Sequence, residues 1–310
     1  MIGYFGKLPG SADFVSCRAS SEDLRAFDEC LQGAMLHLTE ETQWEALFDE
    51  VPRCSFLFRA STQHWLTGDL ASSRDASGRR YPLMIFQRLP VDIDGQPFHA
   101  PWTLCEIQAR QAKDVLIEGI HGSGKAHTFV DGVQALRPLI DSDMVLHQRL
   151  HARVLDDTRL CDISDAMSRS YPEFIANAVL HRMTGLKRIC ERHSMPPVVL
   201  PLPFEKALMR PMADIWMRWL GLISSHPPAL VLLVHDVMRP KLVAFSQGET
   251  SQLYRVLAKL STRQEYFDVL EPFEHFDPAL AQTDLPNPEQ SIGSCMARYT
   301  GHDDRYVRHQ

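Results

Sequence analysis

The stretch from Ser72 to Phe86, SSRDASGRRYPLMIF, constrains the fold more than any other. Its first half, Ser72-Ser73-Arg74-Asp75-Ala76-Ser77-Gly78, consists largely of residues that hydrogen-bond their own backbone or tolerate positive φ, so the chain turns there. Its second half, Tyr81-Pro82-Leu83-Met84-Ile85-Phe86, is an apolar run whose length suits a buried strand, and Pro82 fits the strand's first positions, where a missing N–H costs least. Arg79 and Arg80 lie between the halves, with Asp75 near enough in sequence to hold one guanidinium. The segment 73–89 is therefore expected to cross the core, with Leu83, Ile85 or their neighbours against a helix face.

That face comes from a helix whose apolar residues Leu24, Phe27, Leu31, Ala34, Met35 and Leu38 recur at helical spacing after a cap at Ser20 or Ser21. Ile2 to Phe5 reads as a short strand, Trp44, Leu47 and Phe48 as a short helix, and Cys54–Phe58 and Trp65–Leu70 as strands completed by 83–89. Trp102 to Gly119 has helical periodicity. Residues 141–194 read as almost wholly helical, broken near Pro172 and Gly185. An extended Pro196–Pro203 segment precedes an amphipathic helix that buries Trp216 and Trp219. Ala229–Val234 is a fully buried strand paired with Lys241–Phe245, and Glu249–Leu260 is another helix. The fold class expected is α/β, a central mixed β-sheet flanked by helices in α/β/α layers, with a helix-rich middle section. The divisions expected are 1–125, then 126–270 returning strands at about 229–246 to the same or an adjoining sheet, then a mobile tail, 271–310, with four prolines and no periodicity.

Two ordered blocks resemble the TagF family of bacterial type VI secretion accessory proteins. One is Ser73-x-Asp75-x-x-Gly78-Arg79-x-Tyr81-Pro82-Leu83, with Trp65 and Gly68 upstream; the other is the opening Gly3-Tyr4-Phe5-Gly6-Lys7-Leu8-Pro9 followed by Asp13-Phe14. Ala12 stands where the family usually has Gly, and Ser72 where it usually has Pro. The resemblance covers roughly the first ninety residues well. It implies a non-enzymatic, post-translational negative regulator that acts by binding a protein of the secretion machinery, a forkhead-associated scaffold, without a cofactor.

The composition of the 310 residues fits this. The net charge of −7 argues against a nucleic-acid or anionic-lipid footprint. Seven cysteines (Cys17, Cys30, Cys54, Cys105, Cys161, Cys190, Cys295) form no C-x-x-C pair, as expected of reduced thiols in the cytoplasm. No apolar run approaches the roughly 20 residues that span a bilayer. The rival class is a nucleotide-binding enzyme: Gly119 to Ala126 fills the G-x-x-x-x-G-K spacing, and Asp236 follows an apolar run as a Mg²⁺-positioning acid would. Ala126, however, lacks the hydroxyl that should bind Mg²⁺, and the residues before the loop look helical. His147 and His151 stand at zinc-sharing spacing, but Gln148 replaces the general base and no third ligand is evident, so they read as exposed helix residues and no metal is expected.

The partner-binding residues expected are Lys7, Leu8, Pro9, Asp13, Phe14, Asp75, Arg79 and Arg80, with Lys7 and Arg80 projecting as cations beside Tyr4 and Phe14. Gly6, Trp65, Gly68, Ser73, Gly78, Tyr81, Pro82 and Leu83 are the structural part of the motif, and no catalytic residue is assigned.

Overall fold

The computed structural model describes residues 1–18, 22–61, 64–89, 100–122, 125–224, 226–258, 266–271 and 287–300. Along the chain these form β1 (Ile2–Lys7), β2 (Phe14–Cys17), α1 (Glu22–Leu38), α2 (Trp44–Glu50), β3 (Cys54–Arg59), β4 (Trp65–Ala71), β5 (Leu83–Leu89), α3 (Pro101–Leu104), α4 (Glu106–His121), α5 (Ala126–Gln134), α6 (Asp141–Asp157), α7 (Leu160–Ser170) and α8 (Ala176–Cys190). There follow β6 (Val198–Pro201), α9 (Lys206–Ile223), β7 (Leu230–Val234), β8 (Lys241–Phe245), a 3-10 turn (Gln247–Gln252), α10 (Leu253–Ala258), β9 (Phe267–Asp268) and α11 (Ile292–Thr300). None of the described helices is long and apolar enough to cross a membrane.

The strands make one sheet in the order β2-β1-β5-β4-β3-β7-β8-β6-β9. Its pairs are antiparallel except β6 with β9. Because side chains alternate faces along a strand, an uninterrupted apolar run needs cover on both sides. Phe56, Phe58, Leu230, Leu232, Val243 and Phe245 pack on one face against α1, α2 and α10. Leu57, Val231, Leu233, Leu242 and Ala244 pack on the other with α3, α7, α8 and α9. The expected α/β/α layering is thus present, and β3 pairing with β7 joins the first region and the late strands in the same sheet.

Strand 83–89 crosses the core as expected, but its two faces divide differently. Met84 and Phe86 meet the Leu24, Phe27 and Leu31 face of α1. Leu83 and Ile85 point the other way, onto Leu116 of α4 and Phe129 and Val133 of α5. A run that is apolar at every position gives no parity signal, so the face could not be read from it.

Other boundaries also moved. Gly185 lies inside α8, and the break falls instead at Thr158 and Arg159, where Ile292 donates its N–H to the Thr158 carbonyl. β1 runs on through Gly6 and Lys7 and pairs with β2, which was not anticipated. Residues 287–300 belong to the fold rather than to a mobile tail: Ile292, Cys295 and Met296 are buried, and α11 packs on α6. The expected cap at Ser20 or Ser21, and the rest of the tail, lie outside the described residues.

Candidate functional site: the signature loops

The two signature blocks meet at one end of the sheet because β1 and β5 are paired neighbours. Asp75 is the node between them. Its Oδ2 accepts from Lys7 Nζ at 2.9 Å and from Arg79 Nε at 2.7 Å, and its Oδ1 accepts the N–H groups of Ser77 and Arg79 at 2.9 and 3.0 Å. Burial alone would raise this carboxyl, but the Lys7 ammonium and the Arg79 and Ser77 donors outweigh it and hold the group well below the usual carboxylate range. Arg79 also donates to the Ala12 carbonyl at 2.8 Å, and the Ala76 N–H to that of Ser11 at 2.8 Å, so the second loop is stitched to the first. Gly78 closes the turn with its N–H on the Asp75 carbonyl at 2.9 Å.

The motif's other members explain themselves by packing. A Cβ at Gly6, where φ is +135°, would lie 2.1 Å from the Pro82 carbonyl oxygen. Tyr81 is buried, gives its N–H to the Ser73 carbonyl at 3.1 Å and hydrogen-bonds the Asp28 carboxylate of α1. Its ring meets Phe14 edge-on at 5.1 Å, and Phe14 stacks on Phe5 at 5.3 Å. Trp65, Leu8, Ser73, Pro82 and Leu83 are buried as well.

The expected pair of projecting cations is not there. Lys7 is buried in its pair with Asp75, though its Nζ does lie over the Phe14 ring, 5.2 Å from the centroid. Arg80 has a side chain only 16 % exposed; it reaches Glu45 at 2.9 Å and Asp49 at 2.8 Å on α2 and lies over Trp44, away from Tyr4 and Phe14. Asp75 is acceptor-only and sits between two cations, which a spacing pattern in one loop could not reveal because Lys7 arrives from β1, 68 residues away. What the site presents to solvent is Phe14, 43 % exposed, the 59 % exposed side chain of Arg79, and Asp13, whose carboxylate caps the Phe14 N–H at 2.8 Å. Pro9 lies half-buried beside them.

Sequence reasoning missed a second polar constellation, beneath α3 and α9. Ser55 Oγ lies 2.8 Å from Asp69 Oδ1, 2.9 Å from His235 Nε2 and 3.3 Å from Arg210 Nη2, and Asp69 is also paired with Arg53. Asp214 accepts from the Trp102 N–H at 2.8 Å and from the Thr103 N–H and hydroxyl at 3.0 and 2.5 Å. Burial, with Arg53 and Arg210 adding to it, pushes His235 down to about 2. Burial pushes Asp214 up to about 7 against those hydrogen bonds. Ser55 is buried, so the cluster ties α9 and β7 to β3 and β4 rather than presenting a nucleophile. Its signal in the sequence was Ser55, Thr67 and Asp69 at polar positions within apolar strands.

Among the described residues the rival motifs find no supporting geometry. Gly119 lies within α4 against Phe129, and α4 precedes and α5 follows the motif, whereas a phosphate loop must leave a strand. His151 is buried and His147 half-buried, so the expectation of two exposed histidines is corrected. Among the described residues no group of three or more metal-ligating side chains comes together. The seven cysteines are free thiols.

Comparison with known proteins adds the following. A search of the curated proteins finds no match. Among solved structures, the crystal structure of PA0076 from Pseudomonas aeruginosa PAO1 is similar at 19% identity over 48% of this chain and 78% of that one, with a TM-score of 0.40, too slight a likeness to bear on fold or function. Residues 3–136 match the family described as TagF N-terminal domain, Type VI secretion system-associated. That stretch ends just past α5, contains both loops joined at Asp75, and is what this chain shares with the TagF N-terminal domain.

Proposed function

We propose that the chain is a post-translational negative regulator of a type VI secretion system, an adaptor that binds a forkhead-associated scaffold protein and performs no catalysis. The observation that carries this reading is the TagF N-terminal match over residues 3–136, whose signature residues converge on Asp75 and hold Phe14 and Arg79 outward on a rigid pair of loops. A pre-ordered loop loses little entropy when it docks, and an exposed aromatic beside arginine is the pairing favoured at interface hot spots. Lys7 and Arg80 serve this surface from behind, as its internal braces.

The test is capture of the full chain by the forkhead-associated scaffold from the same host's secretion system. Phe14→Ala combined with Arg79→Ala should lower capture tenfold or more, about 1.4 kcal/mol, while the protein still melts cooperatively. Undiminished capture by the folded variant removes the loops from the interface. Failure of the parent chain to capture the scaffold removes the partner.

A further inference from the structure

Two cavities, of about 460 Å³ and about 290 Å³, open at the end of the sheet away from the signature loops, and both are lined by Arg59 and Gln247. Arg59 ends β3, where it pairs with Trp65, and its N–H is held by the Ala229 carbonyl at 2.7 Å. The backbone therefore fixes where this side chain starts. Among the described residues its guanidinium has no hydrogen bond or ion pair. The other half-buried arginines differ: Arg53 meets Asp69, Arg80 meets Asp49, Arg182 meets the Val269 carbonyl and Arg255 meets Glu41. A cation drawn partly out of water without a counter-charge is costly, and a bound oxyanion offsets that cost with two parallel hydrogen bonds that fit the planar fork.

The surroundings favour the same ligand. The lobe beside α1 places Thr250 and Ser61 next to the apolar Phe58 and Ala26, and the lobe beside α8 and α9 offers His193, Ser224 and Ser246. Glu29 is the one carboxylate lining either lobe, and its side chain is 68 % exposed, out toward Arg25. Hydroxyls and imidazoles around a cation, with apolar surface at hand, form a site for an anion that carries an organic body, and the larger lobe falls within the usual ~300–1,000 Å³ of small-molecule pockets.

We propose that Arg59 anchors a small organic oxyanion, a carboxylate or a phosphate ester with an apolar ring or chain, in this two-lobed groove. The assignment goes beyond the regulator reading and is independent of it, because the groove lies at the opposite end of the sheet from Phe14 and Arg79. Phenyl phosphate and benzoate serve as probes, each titrated into the full chain at fixed ionic strength and followed by calorimetry. At least one should bind saturably at millimolar concentration or below, with affinity reduced tenfold or more by Arg59→Gln and less by Arg59→Lys, while Phe14→Ala leaves it unchanged. Phenyl phosphate alone would identify a phosphate ester, benzoate alone a carboxylate, and both the shared oxyanion chemistry. Absence of saturation with either probe up to about 10 mM, or unchanged affinity in Arg59→Gln, overturns the proposal. Should Arg59→Gln fail to fold, Arg59→Lys carries the test: loss of the fork must weaken binding, and equal affinity overturns the proposal.

Discussion

At the end of the sheet that carries the signature loops, Lys7 lies 2.9 Å from Asp75, Arg79 lies 2.7 Å from the same carboxylate and Arg80 lies 2.8 Å from Asp49, whereas at the other end Arg59 faces two open cavities without a partner among the described residues. The difference separates two uses of charge. Where cations and carboxylates are matched inside the protein, they fix the geometry of loops. Where a half-buried cation is left over beside empty volume, it is available to something from outside. The residues that make this chain recognisable are mostly of the first kind, and those best placed to hold a small ligand carry no motif at all.

The most damaging way to challenge the comparison is to cut the signature out of the core. Trp65 is fully buried on the α9 side of the sheet, and Trp65→Ala should cost about 3–5 kcal/mol in urea denaturation. Ile85→Ala, on the α4 and α5 side, should cost about 2–5 kcal/mol. Losses under about 1 kcal/mol in both would mean that the motif strands do not bear the fold, and the contrast between the ends would collapse.

Acid should sharpen the picture, because two polar groups at the paired end lose their stabilising state in different windows. His235 is held below its unfolded value by burial and by Arg53 and Arg210, so its contribution is complete above pH ~6.5 and shrinks as pH falls below that, by at most about 1.4 kcal/mol per unit. Asp75 is also depressed, but its unfolded value is near 3.9, so its contribution persists through that range and is lost only below about pH 4. Asp214, pushed up to about 7, adds stability as pH falls through the same range and offsets part of that loss, so the test is the difference between chains: urea midpoints should fall more steeply, or rise less, from pH 6.5 to 4.5 in the parent than in His235→Gln. A slope that survives the substitution would assign the acid sensitivity to other histidines and take His235 out of the stability balance.

Much of the fold was legible because the strands announce themselves as short apolar runs bounded by turns, as in 54–58, 83–89 and 229–234. Both faces being covered is also why parity was not legible: Leu83 and Met84 are equally apolar and equally buried, and only the helices that meet them tell them apart. Of the site, the Asp75 and Arg79 pairing is local and could be read from spacing four residues apart. The burial of Lys7 depends on β1 lying beside β5, and the position of Arg80 depends on α2, so neither follows from its own neighbourhood in sequence. Arg59 was invisible for a different reason. What marks it is the want of a partner among the described residues in three dimensions, and no pattern of residue types encodes that.

The smallest expected effect bears most directly on the contrast. Removing an arginine that braces a helix through ion pairs forfeits those pairs and the contacts they hold, whereas removing one with no partner forfeits only the packing of its stem. Arg59→Gln keeps much of the aliphatic stem, discards a guanidinium that makes no described pair, and should shift stability by no more than about 0.5 kcal/mol, a melting change of about 2 °C or less. Arg80→Gln, likewise half-buried but bound to Glu45 and Asp49 and lying over Trp44, should lower stability by more than that in the same assay. If the two substitutions cost the same, or if Arg59→Gln costs more, Arg59 is a structural residue whose contacts lie within the protein, and the two ends of the sheet use their charges alike.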